Sequence, residues 1–354
     1  MSPPPDTAVA AAAPDPPAEP VWATWPEERL LDMRLCDLGL SIKGSELETH
    51  IRTLYADLKA QGVRFKPFFY VSDEWFTAEK GTGIAVPFYM VHPRLARLEL
   101  SQMLEVEGGT TEWCLRILRH ETGHAIDHAY HLNRRRQRQL LFGRSSQPYP
   151  EHYTPRPYSR SYVLHLKPWY AQSHPDEDFA ETFAVWLTPG SQWRQRYADW
   201  PALKKLEYVD ALMAEIGPLP APFASRRRVD AVERLNKTLR QHYEEKRSRY
   251  GVDYANVYDR DLRRLFSDRP ELSGNMSAAK FLTRSRKEVR RHVARWTGVY
   301  QYTIDQVFDE LIKRCRELNL RLVESEERTK MDFAILLTVQ TMSYLHSGQH
   351  RVWL

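Results

Sequence analysis

Residues 120–124 read His-Glu-Thr-Gly-His. On a helix, positions four apart share a face, so the imidazoles of His120 and His124 can meet one metal ion with Glu121 beside the open coordination position. Neutral imidazoles suit Zn2+, and a hydrolytic zinc site uses three protein ligands plus a water in a tetrahedron. The five-residue pattern is only moderately specific in a chain with 13 histidines, and an ordinary amphipathic helix can carry it by chance. A third ligand is the test. Residues 176–187, "DEDFAETFAVWL", offer candidates: Phe179, Ala180, Phe183, Ala184 and Leu187 form an apolar helix face, with Glu177 and Glu181 one turn apart on its flank. Two acids at this spacing repel unless a cation lies beside them, and a metal with its histidines is such a partner. Either glutamate could serve.

These side chains need helices to hold them. Gly108-Gly109-Thr110-Thr111-Glu112 is a helix opening, with a threonine cap and an acid in the first turn. Ile117, Leu118, Thr122, Ala125, Ile126 and Ala129 form a buried stripe that predicts a helix over about 112–133. The basic stretch 133–139 reads as solvated, and residues 143–160, with four prolines, as loop. Helices are expected over about 176–188 and within 201–217. Upstream, residues 22–62 read as helical, with Leu47, Ile51, Leu54, Tyr55 and Leu58 on one face and Gly62 as the stop. "RFKPFFYVSDEWF" (64–76) and "GTGIAVPFYMVHP" (81–93) predict strands of a small sheet. The second is either an edge against which an extended peptide pairs or plain core.

The histidine pattern followed by Glu-x-x-Ala-Glu resembles the gluzincin metallopeptidases. "HETGHAIDHAY" with "YAQSHPDEDFAETF" looks like the catalytic domain of anthrax lethal factor and its relatives, and is most similar to a bacterial family of zinc-binding metallopeptidases. The likeness to that family extends over roughly residues 28–250, through "RLCDLGL", "SDEWF" and "SSQPYP"; residues 251–354 resemble nothing familiar. The resemblance implies one Zn2+ per chain, with Glu177 as third ligand beside His120 and His124, and Glu181 bonded to a ligand histidine to fix its tautomer. It implies that Glu121 is the general base and that Tyr170, seven residues before the ligand glutamate, stabilises the transition state. Asp127 matches an acid of those relatives, with a supporting or structural role. Glu181 as ligand with Glu177 spare is the alternative assignment. The fold implied is α+β: a zincin-like domain of active-site helices and a small sheet, followed by a helical C-terminal extension.

The other candidates have plainer readings. His128 and His131 lie further along the same helix and read as structural or exposed. His174 either contacts substrate or caps the turn ahead of Pro175, and Trp169 and Trp186 read as core. Cys36, Cys114 and Cys315 are far apart and odd in number, which fits free thiols in a reducing cytoplasm. No apolar run reaches eighteen residues, so neither a membrane span nor a membrane partner is expected. The Pro/Ala-rich residues 1–21 read as a disordered tail without the basic start of a secretory signal.

Charge divides the chain. From residue 220 onward there are 27 basic and 18 acidic side chains, +9, whereas the preceding residues carry 24 and 28, −4. With Pro-rich 217–222 as the boundary, this suggests a catalytic domain over 22–217 and a basic, mainly helical region over 218–354. "SRRR" (225–228) and "RSRKEVRRHVARW" (284–296) open a competing class, a protein that binds nucleic acid or an acidic partner and carries only a structural zinc site. An intact Glu121 and Tyr170 favour the first class, a zinc peptidase acting on a peptide or protein substrate, because a structural site needs neither.

Overall fold

The computed structural model of the protein describes residues 19–150, 156, 159–166, 169–250 and 259–346. The tail expected at 1–21 lies outside these but for its last three residues. The helical reading of residues 22–62 holds in its second half, and the first half is more broken. Gly39 and Gly44 stand at φ +61° and +82°, a region that glycine tolerates and a helix cannot use. The segment therefore breaks into turns and a short helix, α1 (Glu27–Leu31), before α2 (Glu46–Ala60). That second helix buries Leu47, Ile51, Leu54 and Leu58 on one face.

Three strands follow: β1 (Phe68–Ser72), β2 (Phe76–Thr77) and β3 (Gly83–Pro87), in the order β1-β3-β2. β3 runs parallel to β1 and antiparallel to β2, and every residue of it is buried. The sheet-edge reading of residues 81–93 is thereby corrected. A continuous apolar run covered on both faces belongs in the middle of a sheet, and the strands that pair on one side only are β1 and the short β2.

Helices α3 (Pro93–Met103), α4 (Thr111–Ala129), α5 (Arg136–Phe142), α6 (Pro175–Leu187), α7 (Trp193–Arg196), α8 (Leu203–Ile216) and α9 (Leu239–Tyr250) complete the first body. The Thr110 side chain accepts a bond from the Trp113 amide and starts α4. The helix ends at Ala129, earlier than its apolar spacing suggests. The Ala129 carbonyl is taken by the Phe223 amide at 3.1 Å, and His131 turns to φ +53°. His174 caps α6 in the same manner, Pro175 occupies the first turn, and three acids there favour the helix dipole.

α4 and α6 cross in close contact at Gly123. A Cβ on that glycine would lie 2.8 Å from the Ala180 Cα, so only hydrogen fits. Around the crossing Leu118, Ala125 and Ile126 meet Phe179, Phe183 and Leu187 in one core with Ile84 and Val86 of the sheet. That core does not stop at residue 217: Val232, Leu239, Tyr243 and even Tyr300 belong to it. A second core gathers Phe266, Phe281, Phe308 and Phe333 among α10 (Asp259–Leu265), α11 (Ala278–Thr297), α12 (Gln301–Glu317) and α13 (Glu326–His346). β4 (Phe266–Ser267) and β5 (Arg321–Leu322) form a short antiparallel pair beside it. The architecture is α+β, mostly helical with small sheets. Among the described residues no helix is long and apolar enough to cross a membrane.

Candidate metal centre

α4 and α6 bring three donor atoms to one point. The Nε2 atoms of His120 and His124 are 3.1 Å apart, and Glu177 Oε2 lies 3.0 Å from the first and 3.3 Å from the second. Ligands held about 2.0–2.1 Å from a tetrahedral zinc are separated by about 3.3 Å, so this triangle has the edge lengths that such an ion requires. All three side chains are largely buried. The neighbouring carboxylates favour positive charge at this point. Burial would lower the basicity of His120, but hydrogen bonds and charge from Glu177 and Glu181 outweigh it and raise the imidazole to about 10. His124 is raised as well. Glu177, although buried, is held well below the ordinary carboxylate range, chiefly by His124 and His120. Among the described residues these three form the set of imidazole and carboxylate atoms able to hold a metal ion.

Glu181 stands elsewhere. Its Oε1 is 2.9 Å from Nδ1 of His120, on the ring edge away from the triangle, and its Oε2 accepts the Leu166 amide at 3.1 Å. It thus fixes the orientation of the ring and leaves Nε2 for the metal position. The same reach shows why two acids one turn apart coexist on α6: each faces a different nitrogen of one imidazole, and neither is solvated.

Glu121 is held from the sheet. Thr77 Oγ1, on the β2 edge, lies 2.8 Å from Glu121 Oε2 and 3.1 Å from its backbone carbonyl. The Tyr170 ring is tilted against His120, centroids 5.7 Å apart. Burial, with the Glu177 and Glu121 carboxylates nearby, pushes its phenol well above the ordinary value, so it stays a proton donor.

The remaining sequence candidates take supporting places. Asp127 touches neither ligand histidine through a hydrogen bond. Its Oδ2 accepts from Arg138 at 2.7 Å, and the same guanidinium nitrogen reaches Asp176 Oδ1 at 2.6 Å, tying α4 to the start of α6 through α5. Arg138 is completely buried, which corrects the reading of 133–139 as wholly solvated. His174 is also buried, and both its ring nitrogens are occupied: Nδ1 accepts the Asp176 amide at 3.1 Å and Nε2 reaches the Gln147 carbonyl at 2.9 Å. That is the capping role rather than contact with substrate. His128 reaches the Gly81 carbonyl at 2.8 Å, and His131 packs on Phe223. Trp186 is core, with its indole bonded to Asp210.

Four contributors were missed in the sequence: Thr77, Arg138, Asp176 and Tyr149. The Tyr149 hydroxyl donates to Glu177 Oε1 at 3.0 Å, and its ring stacks on His174 with centroids 3.8 Å apart. Its position within "SSQPYP" was the available signal, since that stretch carried the family likeness. Thr77, Arg138 and Asp176 gave none, because each acts across long sequence separations.

A family model described as "Putative zinc-binding metallo-peptidase" matches residues 114–192, the span that holds all but the first three residues of α4, and α5 and α6. No curated protein and no solved structure matches the chain. The matched span and the two-histidine, one-glutamate cluster meet in the same residues, so in this region the chain is similar to a family of zinc-binding metallopeptidases.

Proposed function

We propose that the protein is a zinc-dependent peptidase of gluzincin type, in which His120, His124 and Glu177 hold one Zn2+. The observation that carries this reading is the triangle of donor atoms with edges of 3.0–3.3 Å, next to a glutamate pinned by Thr77. When bound, zinc supplies Lewis acidity and lowers the pKa of a water towards about 7. Glu121 takes a proton from the attacking water and later delivers it to the leaving amine. Tyr170 donates its phenol proton in a hydrogen bond to the oxyanion as it develops, an interaction strengthened by exclusion of water. Glu181 keeps His120 in the tautomer that leaves Nε2 free. The catalytic unit is proposed to be zincin-like over residues 22–217, with residues 218–354 as its helical extension. Three free cysteines suit the cytoplasm.

Metal content of the purified protein tests the reading. One zinc per chain is expected, lost in Glu177→Ala and retained, with weaker affinity, in Glu181→Ala. The reverse pattern would move the third ligand to Glu181. No stoichiometric zinc in the wild type, even after reconstitution, would sink the peptidase assignment.

A second reading rests on α11. Lys280, Arg284, Lys287, Arg291 and Arg295 lie along one exposed face, opposite the buried Leu282, Val289 and Val293. Among the described residues only Arg284 of these five makes an ion pair, with Glu326 at 3.5 Å. A ridge of this kind suits a nucleic-acid phosphate backbone. Binding of a mixed-sequence oligonucleotide that weakens steeply with salt supports it, and affinity near zero at low salt removes it.

A further inference from the structure

The two oxygens of Glu177 face different partners. Oε2 completes the triangle with the histidine nitrogens, whereas Oε1 accepts the Tyr149 hydroxyl at 3.0 Å. A carboxylate beside a metal can offer one oxygen or both, and an oxygen already accepting a phenol proton is the poorer donor. Resting on the zinc-site reading above, we propose that Tyr149 is a positioning residue that holds Glu177 to one-oxygen ligation and so keeps the fourth position of the ion open for water.

The surroundings of Tyr149 are arranged to keep the phenol in place. Its ring lies nearly parallel to that of His174, 16° between planes. His174 in turn is fixed at both nitrogens, by the Asp176 amide and the Gln147 carbonyl. Ser145 in the same loop donates to Asp176, the residue before Glu177. The loop 145–149 is therefore fastened to the first turn of α6 at three points, and its tyrosine hydroxyl ends on the ligand carboxylate. The Tyr149 hydroxyl bond is separate from the α6 cap, which His174 supplies, so it has a local consequence at Glu177. In an open site the fourth position stays with water alone, whereas a second carboxylate oxygen would crowd it as a fifth donor.

The test uses the full-length chain, stripped of metal and loaded with Co2+, comparing wild type with Tyr149→Phe. Four-coordinate Co2+ absorbs strongly in the visible, and a fifth donor weakens that band. The wild type should show the strong band, and the variant a band reduced at least twofold as Oε1 turns inward. Zinc affinity should also shift by about 10–100-fold, the usual consequence of losing a partner of a metal ligand. Tyr149 is 47% exposed and the variant loses one hydroxyl while keeping the stacking ring, so its metal-free melt should match that of the wild type. Stoichiometric Co2+ in both proteins with identical spectra and affinities would overturn the inference and leave the zinc site standing. A wild type that takes up no Co2+ would overturn the site and the inference together.

Discussion

At the scale of single residues, the site is a set of side chains each given one task by its neighbours. The carboxylates illustrate this. Glu177 and Glu181 have the same chemistry and sit one turn apart, yet one meets two Nε2 atoms and the other meets a single Nδ1. The sequence made both legible as candidates through their spacing on an apolar helix. It could not separate them on residue chemistry, because the choice depends on how far α6 slides along α4. Thr77 was illegible for a different reason, being 44 residues from Glu121 and on a two-residue strand. Its role gives a prediction. On the proposed reading of Glu121 as general base, Thr77→Val keeps the shape and removes the bond to Glu121, so turnover of a library-selected peptide should fall about 10- to 100-fold through misorientation of that carboxylate. Zinc content should be unchanged, and wild-type turnover in this variant would show that Glu121 needs no partner from the sheet.

At the scale of elements, the site is the crossing of two helices, and two devices set that crossing. One is Gly123, which admits the Ala180 backbone; the other is Arg138, which bridges Asp127 and Asp176 from below. The helices themselves were legible from periodicity and capping residues, including the Thr110 cap. Their crossing was not, since it depends on a missing side chain and on an arginine hidden in a basic run. Gly123→Ala sets two effects against each other. Helix propensity favours alanine by about 1 kcal/mol, whereas forcing a methyl against a backbone atom costs about 1–3 kcal/mol. The neighbour is backbone and cannot rotate away, so the melting temperature should drop, and zinc affinity should fall at least tenfold as Glu177 is drawn off the histidines. A melt at or above the wild-type value, with zinc affinity retained, would mean that the crossing has slack.

At the scale of the whole molecule, acid is the expected point of weakness. His165 is buried with its Nε2 on the Arg116 carbonyl, and burial lowers it to about 4. An unfolded chain protonates this group near 6.5. Between pH 6.5 and about 4 the unfolded state therefore binds a proton that the folded state refuses, so stability is full above this window and is lost as pH falls through it. The loss from this residue between pH 7 and 5 is on the order of 2 kcal/mol. Urea unfolding of metal-free wild type and His165→Gln should show the difference, with a shallower acid slope in the variant; equal slopes would assign the acid sensitivity elsewhere. The division of the chain was only partly legible at this scale. Charge and prolines mark a change near residue 217, but packing continues across it. The buried Lys246 of α9 is bonded to the equally buried Glu99 of α3 at 3.0 Å, and Val232, Leu239 and Tyr243 fill the first core. A fragment trimmed at Gly217 for expression would leave those sockets open and strand a carboxylate in oil. The shortest piece worth making runs at least through α9, and even that piece gives up Tyr300 from the first core.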